Sequence, residues 1–357
     1  MVKMAETKKL IKLSLTALKS NFKELGQPYK MTFSITYWCQ SRCLTCDIWQ
    51  LRPKGELTLD DVQKFAMKNP YFKWIELTGG EPFMRSDVVE IARTFKEHMN
   101  DLYLLTMPTN SLCEKNMVLN KVRQILELKV PRFIMTLSLD GNRELHDKIR
   151  GVKGNFDKVM DMARGLHELQ STYKNLDFVF GYTMSKYNAG MLAKTIEDVK
   201  AELPFVTYNS FHVNMGQISD VYYKNTGLDF SITGNSASDE VKYLISKRHF
   251  SADPAQVIEG AFLKKLEKYI RTGKIPVRSR SLDASVFMDS YGNVYPSIMW
   301  DRKIGNIKET DYSLFPILHC SEANEVKRLI KEGKEPSAWT ACEAYQALAG
   351  DIKTVIF

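Results

Sequence analysis

Met31-Thr-Phe-Ser-Ile-Thr-Tyr37-Trp-Cys39-Gln-Ser-Arg-Cys43-Leu-Thr-Cys46 is the stretch around which the rest of the chain is arranged. Its first seven residues alternate apolar and polar side chains, the period of a strand with one buried face. The three cysteines that follow lie within eight residues, on a loop leaving that strand, and can face one point in space. Thiolates gathered so closely suit a soft metal, and on the cysteines alone both zinc and an iron–sulfur cluster are open. Zinc would need a fourth ligand, which His146 or one of the scattered Cys113, Cys320 and Cys342 could supply. Three ligands on a cluster leave one position for chemistry.

Outward from this stretch, short apolar strands at 31–37, 73–78, 102–107, 132–138, 177–183 and 206–213 alternate with amphipathic helices near 59–68, 87–99, 114–127, 155–171 and 188–202. Six β–α alternations with short connections imply an α/β fold of parallel strands with helices outside, either a barrel or an open sheet. Functional loops in such folds leave the carboxyl ends of the strands. Residues 216–282 are less regular, with the tyrosine-rich Ser219-Asp-Val-Tyr-Tyr223, a polar stretch around 232–239 and helices near 238–247 and 255–271. Ala284–Asp289 and Asn293–Tyr295 flank Ser290-Tyr-Gly292 and read as a β-hairpin, and a helical tail near 321–349 closes the chain.

The 357 residues, 44% hydrophobic and 26% charged, describe a globular protein with a sizeable core. A formal net charge of +8 favours anionic partners, but the lysines are scattered, so no nucleic acid is expected. Three clustered and three scattered cysteines make no disulfide framework, and no signal peptide or run of transmembrane length is evident. A reducing, cytoplasmic compartment is expected. Residues 4–25 read as a basic amphipathic helix with Leu10, Leu13, Leu18 and Leu25 at apolar positions, ended by Gly26-Gln-Pro28. It either caps the fold or gives the protein a peripheral membrane contact.

The C-x3-C-x2-C spacing of Cys39, Cys43 and Cys46 resembles the cluster loop of the radical S-adenosylmethionine (SAM) enzymes. Gly79-Gly80-Glu81-Pro82, at the end of the second strand, matches that family's Gly-Gly-Glu-Pro turn in kind and position. Thr109-Asn110, Ser138-Leu-Asp140-Gly141 and His146-Asp147-Lys-Ile-Arg150-Gly151 follow at later strand ends in the family's order. The resemblance implies a partial (β/α)6 barrel with a smaller C-terminal α+β extension. It also implies one [4Fe–4S] cluster on the three cysteines, with SAM on the fourth iron. Gly79, Gly80, Glu81 and Pro82 would hold the methionine amino group, and Thr109 and Asn110 would lie near the methionine and ribose. Ser138 would sit at the ribose and Arg150 at the carboxylate, with Asp140 and Thr183 also among the cofactor-binding residues. Thr45 stands where the family often has an aromatic residue, so adenine would be met by Tyr37, Trp38 or Trp49.

The implied reaction is reduction of the cluster by a donor such as flavodoxin or ferredoxin, cleavage of SAM to methionine and a 5′-deoxyadenosyl radical, and removal of a hydrogen atom from substrate in the barrel mouth. The substrate would be a peptide, or a small sugar, nucleotide or lipid precursor, with Tyr182, His212 and Asn214 at the cavity wall. The alternative is a non-catalytic zinc or iron–sulfur protein that binds a partner.

The divisions expected are 1–28 for the helix, 29–215 for the barrel, 216–282 for a connecting region and 283–357 for an extension resembling the SPASM/twitch modules that carry auxiliary clusters. There Ser297 and Ser281 stand at ligand positions, a further cysteine is replaced near Ser337, and Cys320 and Cys342 are too few for a second cluster.

Overall fold

The computed structural model describes residues 2–232 and 236–351. Six parallel strands form its centre: β1 (Lys30–Thr36), β2 (Trp74–Gly79), β3 (Leu104–Thr109), β4 (Arg132–Ser138), β5 (Leu176–Met184) and β6 (Phe211–Met215). Beyond β1 the sheet continues through β7 (Ser285–Met288), β8 (Asn293–Tyr295) and β9 (Gly305–Asn306), giving the order β6-β5-β4-β3-β2-β1-β7-β8-β9. The expected hairpin is β7–β8. Its first strand runs parallel to β1 in the register Lys30↔Ser285 to Phe33↔Met288, so β1 has partners on both sides and the sheet stays open between β6 and β9.

The helices are α1 (Val2–Lys19), α2 (Leu59–Lys68), α3 (Val88–His98), α4 (Lys115–Glu127), α5 (Arg143–Arg150), α6 (Asn155–Thr172), α7 (Leu192–Glu202), α8 (Ser236–Lys247), α9 (Pro254–Thr272), α10 (Leu314–Leu318), α11 (Ser321–Lys331) and α12 (Ala341–Ala349). Alternation along the strands decides the two faces. Met31, Phe33, Ile35, Ile75, Leu77, Leu105, Met107, Phe133 and Met135 join one buried core with the helices, each fully buried side chain contributing roughly 1.5–3 kcal/mol. The opposite face is polar. Lys30 is fully buried, pairs with Glu76 at 3.1 Å and lies 4.4 Å over the Trp74 ring, while Thr32 donates to Glu76 at 3.0 Å.

That polar face is closed by α12. The Lys30 ammonium donates to the Cys342 carbonyl, the Gln346 amide donates to Ser285 at 2.9 Å, and the Tyr345 ring stacks on Trp74.

Several boundaries differ from expectation for local reasons. The first helix ends at Lys19, before Gly26, because Ser20 Oγ and Asn21 Nδ2 donate back to the carbonyls of Ala17 and Leu18. The last strand of the barrel starts at Phe211 instead of 206, after a tight turn at Tyr208–Ser210 capped by Thr207. The tail is broken into α11 and α12 across Gly333, in left-handed backbone at φ +69°, and Pro336. The polar stretch 232–239 lies partly outside the described residues; α8 starts at Ser236. Among the described residues no helix is long and apolar enough to cross a membrane.

Candidate active site

The cysteine loop leaves β1 and is held from three sides. On one, α5 presents its last carbonyls: Arg42 N donates to Arg150 O and Leu44 N to Ile149 O, both at 2.9 Å. Gly151 makes this approach possible, since a Cβ there would stand 2.5 Å from Arg42 O. On the second side lies the 219–225 segment. Asp47 N donates to Tyr223 O at 3.0 Å, the Cys46 thiol points at the same carbonyl at 3.5 Å, and the buried Asn225 amide donates to Thr45 O at 2.8 Å. On the third is the Gly79–Pro82 bend. Gly80 N donates to Thr36 O and Glu81 N to Trp38 O, both at 2.8 Å. A Cβ on Gly79, whose φ is +137°, would lie 2.1 Å from Thr36 O, and one on Gly80 would lie 2.2 Å from Trp38 O and 3.0 Å from Cys39 Cβ. Only glycine lets the bend and the cysteine loop share one rim.

The remaining motif residues join the same network. Asn110 Nδ2 reaches Cys39 Sγ at 3.6 Å, and its backbone N–H donates to Glu81 at 2.7 Å; Thr109 Oγ1 donates to the other Glu81 oxygen at 3.0 Å. The Glu81 carboxyl is therefore a buried tie between the bend and the end of β3, and burial pushes its pKa up to about 7. What the bend can offer a ligand is backbone carbonyls. The Tyr222 phenol sits at one of them, 3.4 Å from Gly79 O and 2.6 Å from Thr78 Oγ1.

Arg150 lies between Asp140, whose carboxylate is 2.6 Å from its Nε, and Cys43 Sγ, 3.7 Å from its Nη1. Burial disfavours its charge, but Asp140 and Cys43 beside it outweigh that and keep the guanidinium protonated. Asp140 also accepts from Thr183 N at 2.9 Å. Ser138 ends β4, in register with Gly181 and, through it, His212.

Three residues stand elsewhere than expected, and a fourth, His212, stands where expected but already engaged. Tyr182 and Thr183 are neighbours on β5 and so face opposite sides of the sheet. Tyr182 points into the helix layer, its hydroxyl donating to Asn188 O at 3.2 Å, and it does not line the cavity. Tyr37 is buried against Tyr291 with its hydroxyl on Val221 O at 3.2 Å, so its ring packs toward the C-terminal strands instead of the cofactor side; Trp38 is the exposed aromatic at the rim. His212 does face the interior with Asn214, but its Nδ1 is engaged by Glu259 at 3.0 Å and by the Tyr345 hydroxyl at 2.9 Å. His146, the possible zinc ligand, instead accepts from Asp140 N at 3.0 Å, and burial holds its pKa down at about 4.

Tyr223 and Asn225 are the residues the sequence reading missed as braces. Their tyrosine-rich segment stood out, but a carbonyl acting across the fold leaves no mark in composition.

The donor set fits a cluster and SAM. Burial pushes the Cys39 thiol up to about 12 and the Cys46 thiol up as well, as for thiols that keep their protons until a metal displaces them. Among the described residues no three His, Cys, Asp or Glu side chains converge as on a single ion. A cuboidal cluster asks for something else, one iron per thiolate. Beside the sulfurs, the glycine-lined bend leaves a cradle that any side chain would fill.

A rim of cysteines after β1 and a glycine bend after β2, on an open parallel barrel, define a class. Residues 33–199 match the sequence model of the radical SAM superfamily and form a radical SAM domain; enzymes of that superfamily use a [4Fe–4S] cluster and SAM. The chain is similar to the AdoMet-dependent heme synthase of Methanosarcina barkeri, 26% identical over 343 residues and 90% of each chain. The antilisterial bacteriocin subtilosin biosynthesis protein AlbA of Bacillus subtilis is 28% identical over 44% of this chain and 35% of its own. In fold it resembles Streptococcus suis SuiB bound to precursor peptide SuiA, at TM-score 0.60 and 16% identity, over 88% of this chain and 70% of that one. It also resembles native anSMEcpe with bound AdoMet and Kp18Cys peptide, at TM-score 0.61 and 15% identity, over 92% and 98%.

Proposed function

We propose that the chain carries one [4Fe–4S] cluster on Cys39, Cys43 and Cys46 and uses SAM to take a hydrogen atom from a substrate held in the polar interior of the open barrel. The observation that carries this reading is the contact between the bend and the cysteine loop, where Gly80 has no room for a side chain beside Trp38 O and Cys39. Bound together, cluster and SAM supply a 5′-deoxyadenosyl radical. The chain does the rest. The carbonyls of the bend accept the SAM ammonium, and Tyr222 fixes the one at Gly79. Arg150, beside Cys43, would offset the negative charge of the thiolates and hold the methionine carboxylate. Thr109, Asn110, Ser138, Asp140 and Thr183 would be the further cofactor-binding residues, Ser138 at the ribose, and α12 covers the polar interior, which would protect a radical from side reactions.

For the substrate, the match to the heme synthase is what favours a tetrapyrrole, since it spans 90% of both chains, whereas the match to AlbA, which favours a peptide, spans 44% of this one. A single cluster is supported by the extension. Ser297 lines a cavity of only ≈ 30 Å³ shared with Trp300, Trp339 and Glu343, room for about one water.

Anaerobic reconstitution tests the reading. About four irons and four sulfides per chain are expected, and dithionite with SAM should yield 5′-deoxyadenosine. A protein that takes up zinc, or iron without forming that product, would refute it. A deuterated tetrapyrrole and a deuterated peptide, compared for label arriving in 5′-deoxyadenosine, separate the substrates.

A further inference from the structure

The outer face of α1 carries an apolar stripe that a capping helix does not need. Its inner face packs in the ordinary way: Leu13 and Ala17 join Tyr29 and Ala284, Lys9 donates to Leu102 O at 3.5 Å, and Lys12 pairs with Asp101 at 2.6 Å. These contacts precede β1, β3 and β7, so the helix lies across the amino ends of the strands, opposite the cysteine rim. On the outer side, Met4, Ile11 and Leu15 fall on one stripe (i, i+7, i+11) and are 60%, 50% and 60% exposed, and Phe22 in the following turn is 76% exposed. Lys8, Lys19 and Lys23 are exposed beside them.

Residues 1–25 hold six lysines against two glutamates, and one of those, Glu24, is paired with Lys331. A second exposed aromatic stands at the same end of the barrel. Phe250 is 93% exposed in a loop fixed beside the starts of β6 and β4 by Asn209–His249 hydrogen bonds and the Arg132–Asp253 ion pair, and it follows Lys247 and Arg248.

An apolar stripe bordered by lysines is what an anionic bilayer surface binds: side chains enter the headgroup boundary while ammonium groups meet the phosphates. We propose that the outer face of α1 docks the protein on an anionic membrane surface. In that pose the barrel mouth points away from the bilayer, so the helix positions the enzyme and does not deliver a lipid into the site.

The test is flotation of the full-length, reconstituted protein with vesicles of phosphatidylcholine alone or mixed with phosphatidylglycerol. Co-flotation with the mixed vesicles, weakening as salt rises, is expected. Ile11→Glu/Leu15→Glu, at two exposed positions, should bind about tenfold more weakly with unchanged circular dichroism and SAM binding. The proposal is overturned if the wild type stays at the bottom of the gradient at low salt, if both vesicle types bind it equally, or if the variant floats as well as the wild type. A concentration-dependent dimer, abolished by the same substitutions in a protein that ignores lipid, would overturn it by assigning the face to a second copy.

Discussion

A single methyl group is enough to probe the site. Gly80→Ala would put a carbon 2.2 Å from Trp38 O, so the cysteine loop has to move. Overpacking of this kind costs about 1–3 kcal/mol, and it falls where three sulfurs must stay in register. Iron per reconstituted chain should drop several-fold while circular dichroism stays near that of the wild type; full iron occupancy would show that the contact is not what sets the loop.

Asn225→Ala attacks the loop from the other side. It leaves Thr45 O and Gln217 O without their buried donor, at about 1–3 kcal/mol, and should lower both the melting temperature and iron retention during dialysis. Most of this neighbourhood was legible because motifs specify residue types at strand ends. What was not legible depends on direction. Two adjacent residues, Tyr182 and Thr183, could not both face the cavity, and alternation alone does not say which one does until the helix layer is placed. Arg150 was read as a ligand-facing cation, yet its backbone carbonyl also anchors the cysteine loop, and sequence does not show what a main-chain group will meet.

At the level of elements, two polar junctions tie the C-terminal third to the barrel. Asp61 closes the capping box of α2 with Thr58 and receives the Tyr312 hydroxyl at 2.6 Å, with Lys308 at 3.5 Å. Burial works to raise its pKa, but these hydrogen bonds and the lysine outweigh it and hold the carboxyl at about 2. Because that lies below the unfolded value, the stabilisation, about 2 kcal/mol, is complete above pH ~4 and is lost as pH falls through about 2. In acid unfolding followed by fluorescence, Tyr312→Phe should move the transition to higher pH; an unchanged profile would show that the bond contributes nothing.

The second junction is the Lys30–Glu76 pair with Cys342 of α12, whose carbonyl accepts from Lys30 and whose thiol meets Glu76. Lys30→Met leaves a buried carboxylate facing only Thr32 and the Cys342 thiol and should cost about 3–5 kcal/mol, with Lys30→Met/Glu76→Leu recovering most of it. Helix and strand existence was readable from periodicity. The boundaries that slipped, at Lys19, Phe211 and Gly333, were set by side-chain caps and a left-handed glycine, which act one residue at a time.

On the scale of the whole molecule, division at residue 283 cuts through one continuous sheet, since β7 pairs along β1. Pairing between segments so far apart has no local signature, which is why the hairpin could be read and its partner could not. A chain ending at residue 282 should therefore lose solubility and cluster together, with a free β1 edge and no α12 over Lys30; a well-folded, iron-loaded fragment would show that the barrel stands alone. The same pairing bears on biogenesis. The strand that leads into the cysteine loop leaves the ribosome some 250 residues before its outer neighbour. Through most of translation that edge hangs open to the strands of other nascent chains, the condition in which partly folded domains misassemble.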